Sequence, residues 1–257
     1  MSLFVTEIEK AMTVSEGIGD RDPALATKYI NRQNFKNHNL MAYDGVQGVE
    51  GFISHLPQEK SPLKVIRAFQ DGSYVFTQSE GDLFGKKVFF DIYRFENGQI
   101  IEHWDNQTDS TPPNQSGHTS TDGPTEATDL KDTEKNKALI KEFYEAIFLK
   151  GQLEKMPQYF DGDTYIRHDA RGGDGLSALS AMMQQLAKQG MDMNVDKIAM
   201  ILGQGNFVLV VAGGSISGKP VAYYDLFRVE NSKIAEHWDV IENIPPHDQW
   251  NNKNGKF

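Results

Sequence analysis

Two carboxylates and one imidazole recur together twice in this chain, at the same spacing: Asp91, His103 and Asp105, then Asp225, His237 and Asp239. Each group sits within a longer echo. Phe90-Asp91-Ile92-Tyr93-Arg94 followed by Glu102-His103-Trp104-Asp105 returns as Tyr224-Asp225-Leu226-Phe227-Arg228 followed by Glu236-His237-Trp238-Asp239. A charge inside an aromatic strand is costly to bury and requires a partner or a wet cavity. In such a cavity one carboxylate is pushed toward a base that works near neutral pH, and the imidazole donates or relays a proton. Two other readings use the same residues. An Asp–His pair can be purely structural, and His168, Asp225, His237 and Asp239 together offer imidazole and carboxylate ligands to an ion. No compact motif of the His-Glu-x-x-His kind accompanies them, so no metal is expected.

Strand alternation sorts these residues into faces. Phe89, Asp91 and Tyr93 share a face with Ile101, His103 and Asp105, and the opposite face carries Phe90, Ile92, Arg94, Ile100, Glu102 and Trp104. The second half repeats this, with Tyr223, Asp225, Phe227, Ala235, His237 and Asp239 together. A three-residue loop at Glu96-Asn97-Gly98 would set Asp91 opposite His103 and Phe89 opposite Asp105, and likewise Asp225 opposite His237 and Tyr223 opposite Asp239. Trp104 and Trp238 fall on the other face, where they suit packing of one half's sheet on the other's. Far upstream of each group lies an aromatic-x-x-His element, Phe35 with His38 and Tyr165 with His168, expected at the start of a strand near the cavity mouth.

The repeat turns 257 residues into two domains of ordinary size, each able to bury a core. Residues 1–110 form the first, 111–131 are a Pro/Gly/Ser/Thr-rich tail and linker, and 132–257 form the second with its own extended tail. Because both copies carry such a tail, docking on a neighbour rather than loose disorder is suggested, with a simply solvated Pro-rich tail as the alternative. Helical spacing over Asp132–Lys150 and Glu7–Gly19 opens each half, with shorter helices at Pro23–Tyr29, Leu153–Phe160, Val46–Leu56 and Leu176–Lys188. From Leu63 and from Met193 the period drops to two. Helices followed by an antiparallel meander make an α+β arrangement in which the helices cover one sheet face. Met182, Met183, Met191, Met193 and Met200 crowd the second half and suit an adaptable apolar cavity there.

The sequence has no cysteine, which removes disulfides, thiolate nucleophiles and cysteine-ligated metal clusters. A formal net charge of −10 repels a nucleic-acid backbone, and no basic run offsets it. Neither a secretory leader nor a long apolar span is legible, so a cytoplasmic protein away from the membrane is expected.

The helix-rich start, Tyr165-x-x-His168, the Tyr224-Asp225-x-x-Arg228 strand and Glu236-His237-Trp238-Asp239 resemble the SnoaL-like polyketide cyclases of the nuclear transport factor 2-like superfamily, in tandem duplication. The resemblance implies two cone-shaped domains packed as an internal pseudo-dimer, each a curved antiparallel sheet around its helices with a pocket inside. It also implies ring closure by aldol chemistry, or isomerisation, on a small hydrophobic molecule without cofactor or metal. The acid–base role would fall on Asp239 and Asp105, assisted by His237 with Asp225 and by His103 with Asp91, with His168 and His38 nearby. Tyr165, Tyr223, Phe227, Phe35, Phe89 and Tyr93 would line the pockets. Relatives of this fold also include simple binders, so a non-catalytic binding protein is the alternative.

Overall fold

A computed structural model describes residues 4–257; the first three residues lie outside it. In the first half, helix α1 (Glu7–Asp20) starts from a capping box in which Thr6 and Glu9 satisfy each other's backbone donors. Then come α2 (Pro23–Ala26), β1 (Lys36–Asn37), α3 (Gly45–His55), β2 (Lys64–Asp71), β3 (Tyr74–Asp82), β4 (Lys86–Glu96) and β5 (Gln99–Asp109). The second half repeats the order with α4 (Thr133–Tyr144), a 3₁₀ helix Leu153–Tyr159 in the place of α2, β6 (Ile166–Arg167), α5 (Leu176–Lys188), β7 (Met193–Gln204), β8 (Phe207–Ile216), β9 (Lys219–Glu230) and β10 (Lys233–Asn243). The sheets run β1-β5-β4-β3-β2 and β6-β10-β9-β8-β7, so the order is the same in both. Only the short first strand of each is parallel to its neighbour. Each half is therefore the α+β arrangement expected, with helices on the apolar sheet face. Ala11 and Val14 of α1 and Val46 and Ile53 of α3 pack with Val75, Tyr93 and Phe95, while Ile140, Phe143 and Tyr144 of α4 pack with Val208, Val210, Tyr223 and Phe227.

The helix expected over 132–150 is regular only to Tyr144. It then widens into a π turn, Glu145–Leu149, with Phe148 against both Phe143 and Tyr144.

The hairpin register differs from the expected one by two residues. Asn97 and Gly98 both have positive φ, at 49° and 74°, and form a two-residue turn with Glu96 opposite Gln99. A bulge then places Ile101 as an extra residue, so that Arg94 faces Glu102 and Asp91 faces Asp105, not His103; Phe89 faces Gln107 and Tyr93 faces His103. The second hairpin turns on Asn231 and Ser232, bulges at Ala235, and sets Asp225 opposite Asp239, Phe227 opposite His237 and Tyr223 opposite Ile241. A shift of two preserves the faces, which is why the polar groups still share one side. Before the bulge the alternation is displaced, and Ile100 and Ile234 turn into the cores instead of pointing away from them.

The chain divides into two compact units whose limits depart from 132–257 and 111–131. One runs to Ser110 and also takes in Pro245–Phe257; the other is Thr111–Ile244. Asparagine side chains tie each tail to its unit through backbone carbonyls. Asn252 donates to Asn39 O and Ala42 O and Asn254 to Asn37 O in the first unit, while Asn114 donates to Arg167 O and Asp169 O in the second.

Candidate active site

In the second unit, β9 and β10 bring Asp225, His237 and Asp239 to the inner face beside a cavity of about 560 Å³. His237 Nε2 donates to Asp225 Oδ1 at 2.8 Å, and the Tyr144 hydroxyl donates to Asp225 Oδ2 at 2.7 Å. Tyr144 ends the regular part of α4, so the helix supplies the second donor of this buried carboxylate. Burial alone would lower His237, but the hydrogen bond and charge of Asp225, then the charge of Asp239, outweigh it and hold the imidazolium above its ordinary 6.5. Burial raises the Asp239 carboxyl above 3.8 despite His237 and Arg171, helped by the neighbouring carboxylates Asp169 and Asp225. Arg171 reaches Asp239 Oδ2 at 3.3 Å.

Apolar side chains complete the cavity. Tyr165, Tyr223 and Phe227 line it as expected, and α5 lays Leu176, Leu179, Met182, Met183 and Leu186 along it at helical spacing. Met191 and Met193 also line it; Met200, on β7, does not.

The first unit keeps the polar pattern with far less room. His103 Nε2 bonds Asp91 Oδ1 at 2.8 Å, and Asp105 accepts from Asn39 Nδ2 at 2.6 Å. Burial raises Asp91, and the Asp91 hydrogen bond raises His103 against burial. Phe35, Phe89 and Tyr93 line this cavity, whose volume is only about 80 Å³.

His38 and His168 are not brought to either cavity, contrary to expectation. Both ring nitrogens of His38 face acceptors, Gly255 O and Glu102 Oε1, each at 2.9 Å, and the ring stacks on Trp104 with centroids 4.7 Å apart. His168 does the same with Thr119 O, Glu236 Oε1 and Trp238. The register explains this. Asn37 and Arg167 pair with His103 and His237, so the residue that follows each short strand points to the tryptophan face.

Residues 138–250 match the family model described as SnoaL-like polyketide cyclase. Over these residues the second unit is similar to that family. Among solved structures the chain is similar to an NTF2-like protein of unknown function from Cytophaga hutchinsonii, at 16% identity over 42% of this chain and 95% of that one, TM-score 0.37. It is also similar to a protein with a ketosteroid isomerase-like fold from Catenulispora acidiphila, in complex with trimethylamine, at 14% identity over 39% and 85%, TM-score 0.33. No curated protein matches the chain significantly.

Among the residues of this cavity that escaped the sequence reading are Tyr144, Arg167, Asp169 and Arg171. Arg167 and Asp169 are buried and paired at 2.6 Å. Alternation along Arg167-His168-Asp169 places Arg167 and Asp169 on the side opposite His168, and this signal was available in the sequence. Two groups among the described residues could gather round an ion: Asp91, His103 and Asp105, and His118, Asp122 and His168. In the second of these, both ring nitrogens of His168 already face acceptors, Thr119 O and Asp122 on one side and Glu236 on the other.

Proposed function

We propose that the SnoaL-like unit is a cofactor-free acid–base catalyst, a cyclase or isomerase for a small hydrophobic carbonyl compound. The observation that carries this reading is Asp239, a partly buried carboxyl of raised pKa at the polar end of a large apolar cavity, two strand positions from a paired imidazole. Ionised Asp239 would take a proton from the carbon beside the substrate carbonyl, and the C–H electron pair would move to the carbonyl oxygen as an enolate. The His237 imidazolium, held by Asp225, would hydrogen-bond that oxygen through Nδ1. In ring closure the enolate carbon bonds a second carbonyl carbon, and the new alkoxide takes the proton back from Asp239. In isomerisation the proton returns to a different carbon. Neither route consumes an oxidant or a net proton. The first unit, with about 80 Å³ available, is read as scaffold.

A binding pocket without turnover is the second reading. It is favoured by Asp225, whose two oxygens are already taken by His237 and Tyr144. Deuterium uptake at the α-carbon of 2-tetralone in D₂O, followed by proton NMR, separates the two. Catalysis predicts accelerated exchange that Asp239→Asn removes while 2-tetralone still binds; exchange at the same rate in wild type and D239N leaves only the binding pocket.

A further inference from the structure

We infer that the large cavity of the second unit takes an amphiphilic organic anion, with its apolar body against α5 and an anionic oxygen on the Arg171 guanidinium. This rests on the reading of that cavity as the substrate pocket, and it names the class of compound that would enter.

The ion pairs lining the polar end are unequally closed. Arg167 and Asp169 meet at 2.6 Å, and His237 and Asp225 at 2.8 Å. Arg171 instead reaches one oxygen of Asp239 at 3.3 Å and one of Asp169 at 4.0 Å, with 42% of its side chain exposed. A guanidinium has five donors in a planar fork that matches a carboxylate bidentately. Most of those of Arg171 are unspent. Arg167, on the same wall, is 2% exposed, its Nη1 has no partner among the described residues, and its Nη2 spends a bond on the weak acceptor Met182 Sδ at 3.2 Å. Two neighbouring guanidiniums thus hold donor capacity that the protein does not use.

The first unit supplies the contrast. The shared register with His103 and His237 makes Asn37, Asn39 and Met41 the counterparts of Arg167, Asp169 and Arg171. These are neutral, and the cavity beside them is small. On a chain of net charge −10, a pair of arginines lines only the wide cavity, where they stand among Asp169, Asp225 and Asp239 and offer guanidinium donors that the small cavity lacks.

The test is fluorescence and calorimetric titration of the full chain with 1-pyrenecarboxylate and its uncharged isostere 1-pyrenecarboxamide, for wild type, Arg171→Lys and Arg171→Met. The expected result is one carboxylate bound per chain, ten-fold or more tighter than the carboxamide. That preference should be lost in R171M and largely kept in R171K. Equal affinity for the two probes, or a preference unchanged in R171M, overturns the inference while leaving the pocket intact. Binding of neither probe overturns both. Deuterium exchange reads the catalytic step separately: if D239N abolishes exchange while the two probes bind alike, only the anion inference fails.

Discussion

Asp239 and His237 depart from their ordinary titration for different reasons, burial for the carboxyl and the Asp225 contact for the imidazole, and both move upward. If turnover needs ionised Asp239 and protonated His237, its rate rises as the pH passes a value above 3.8 and falls as the pH passes one above 6.5. A pH profile of α-proton exchange should show both limbs. Asp225→Asn should move the alkaline limb to lower pH, because the contact that raises His237 is gone. Glu236 makes a stability prediction. Burial would raise it, but hydrogen bonds from His168 and Arg228 outweigh burial and hold it below 4.5. A depressed folded-state value stabilises above 4.5, and this contribution is lost as the pH falls below it. Glu236→Gln should cost about 3–5 kcal/mol at pH 7, the range for breaking a buried pair, and progressively less as the pH falls below 4.5 and through the depressed folded-state value, measured by urea unfolding. The roles of Asp225, His237 and Asp239 as neighbours on one face were legible from alternation alone. That His38 and His168 serve the tryptophan face was not, because a two-residue strand is too short to reveal its phase before its partner is known.

At the scale of elements, the hairpins carry both the success and the error of the sequence reading. Helices, strands and their order follow from periodicity, but a two-residue turn with a bulge and a three-residue loop are hard to tell apart in sequence. Ser232 occupies the second turn position at φ 60°, where Gly98 stands in the first unit at 74°. A left-handed conformation costs a non-glycine residue about 1–2 kcal/mol, partly offset by the greater unfolded-state entropy of glycine. Ser232→Gly should therefore stabilise the second unit by about 0.5–1 kcal/mol, seen as a higher urea midpoint with unchanged slope.

At the scale of the molecule, each unit includes one of the two Pro-containing stretches, and the one ending at Phe257 belongs to the first. Deleting Pro245–Phe257 removes the Asn252 and Asn254 bridges, the Gly255 carbonyl that His38 meets, and the Lys256 bond to Asp105 O at 2.7 Å. At about 1 kcal/mol for each bond the loss is about 3–5 kcal/mol. Hydrogen exchange should then quicken at the His38 amide, which donates to His103 O, while the His168 amide, bonded to His237 O, keeps its protection. Equal protection at both would show that the stretch does not support the first unit.

The sequence by itself determined the duplication, the α+β order and the shared face of two carboxylates and an imidazole in each half, because these depend on local period and on side-chain alternation. Only the tertiary structure decided that one cavity measures about 560 Å³ and the other about 80 Å³, that Tyr144 closes Asp225, and that Arg171 stands beside Asp239. Those outcomes depend on which distant side chains meet and on how much volume they leave between them. Contacts separated by 81 and 68 positions, Tyr144 with Asp225 and Arg171 with Asp239, are fixed by packing and leave no periodic trace along the chain.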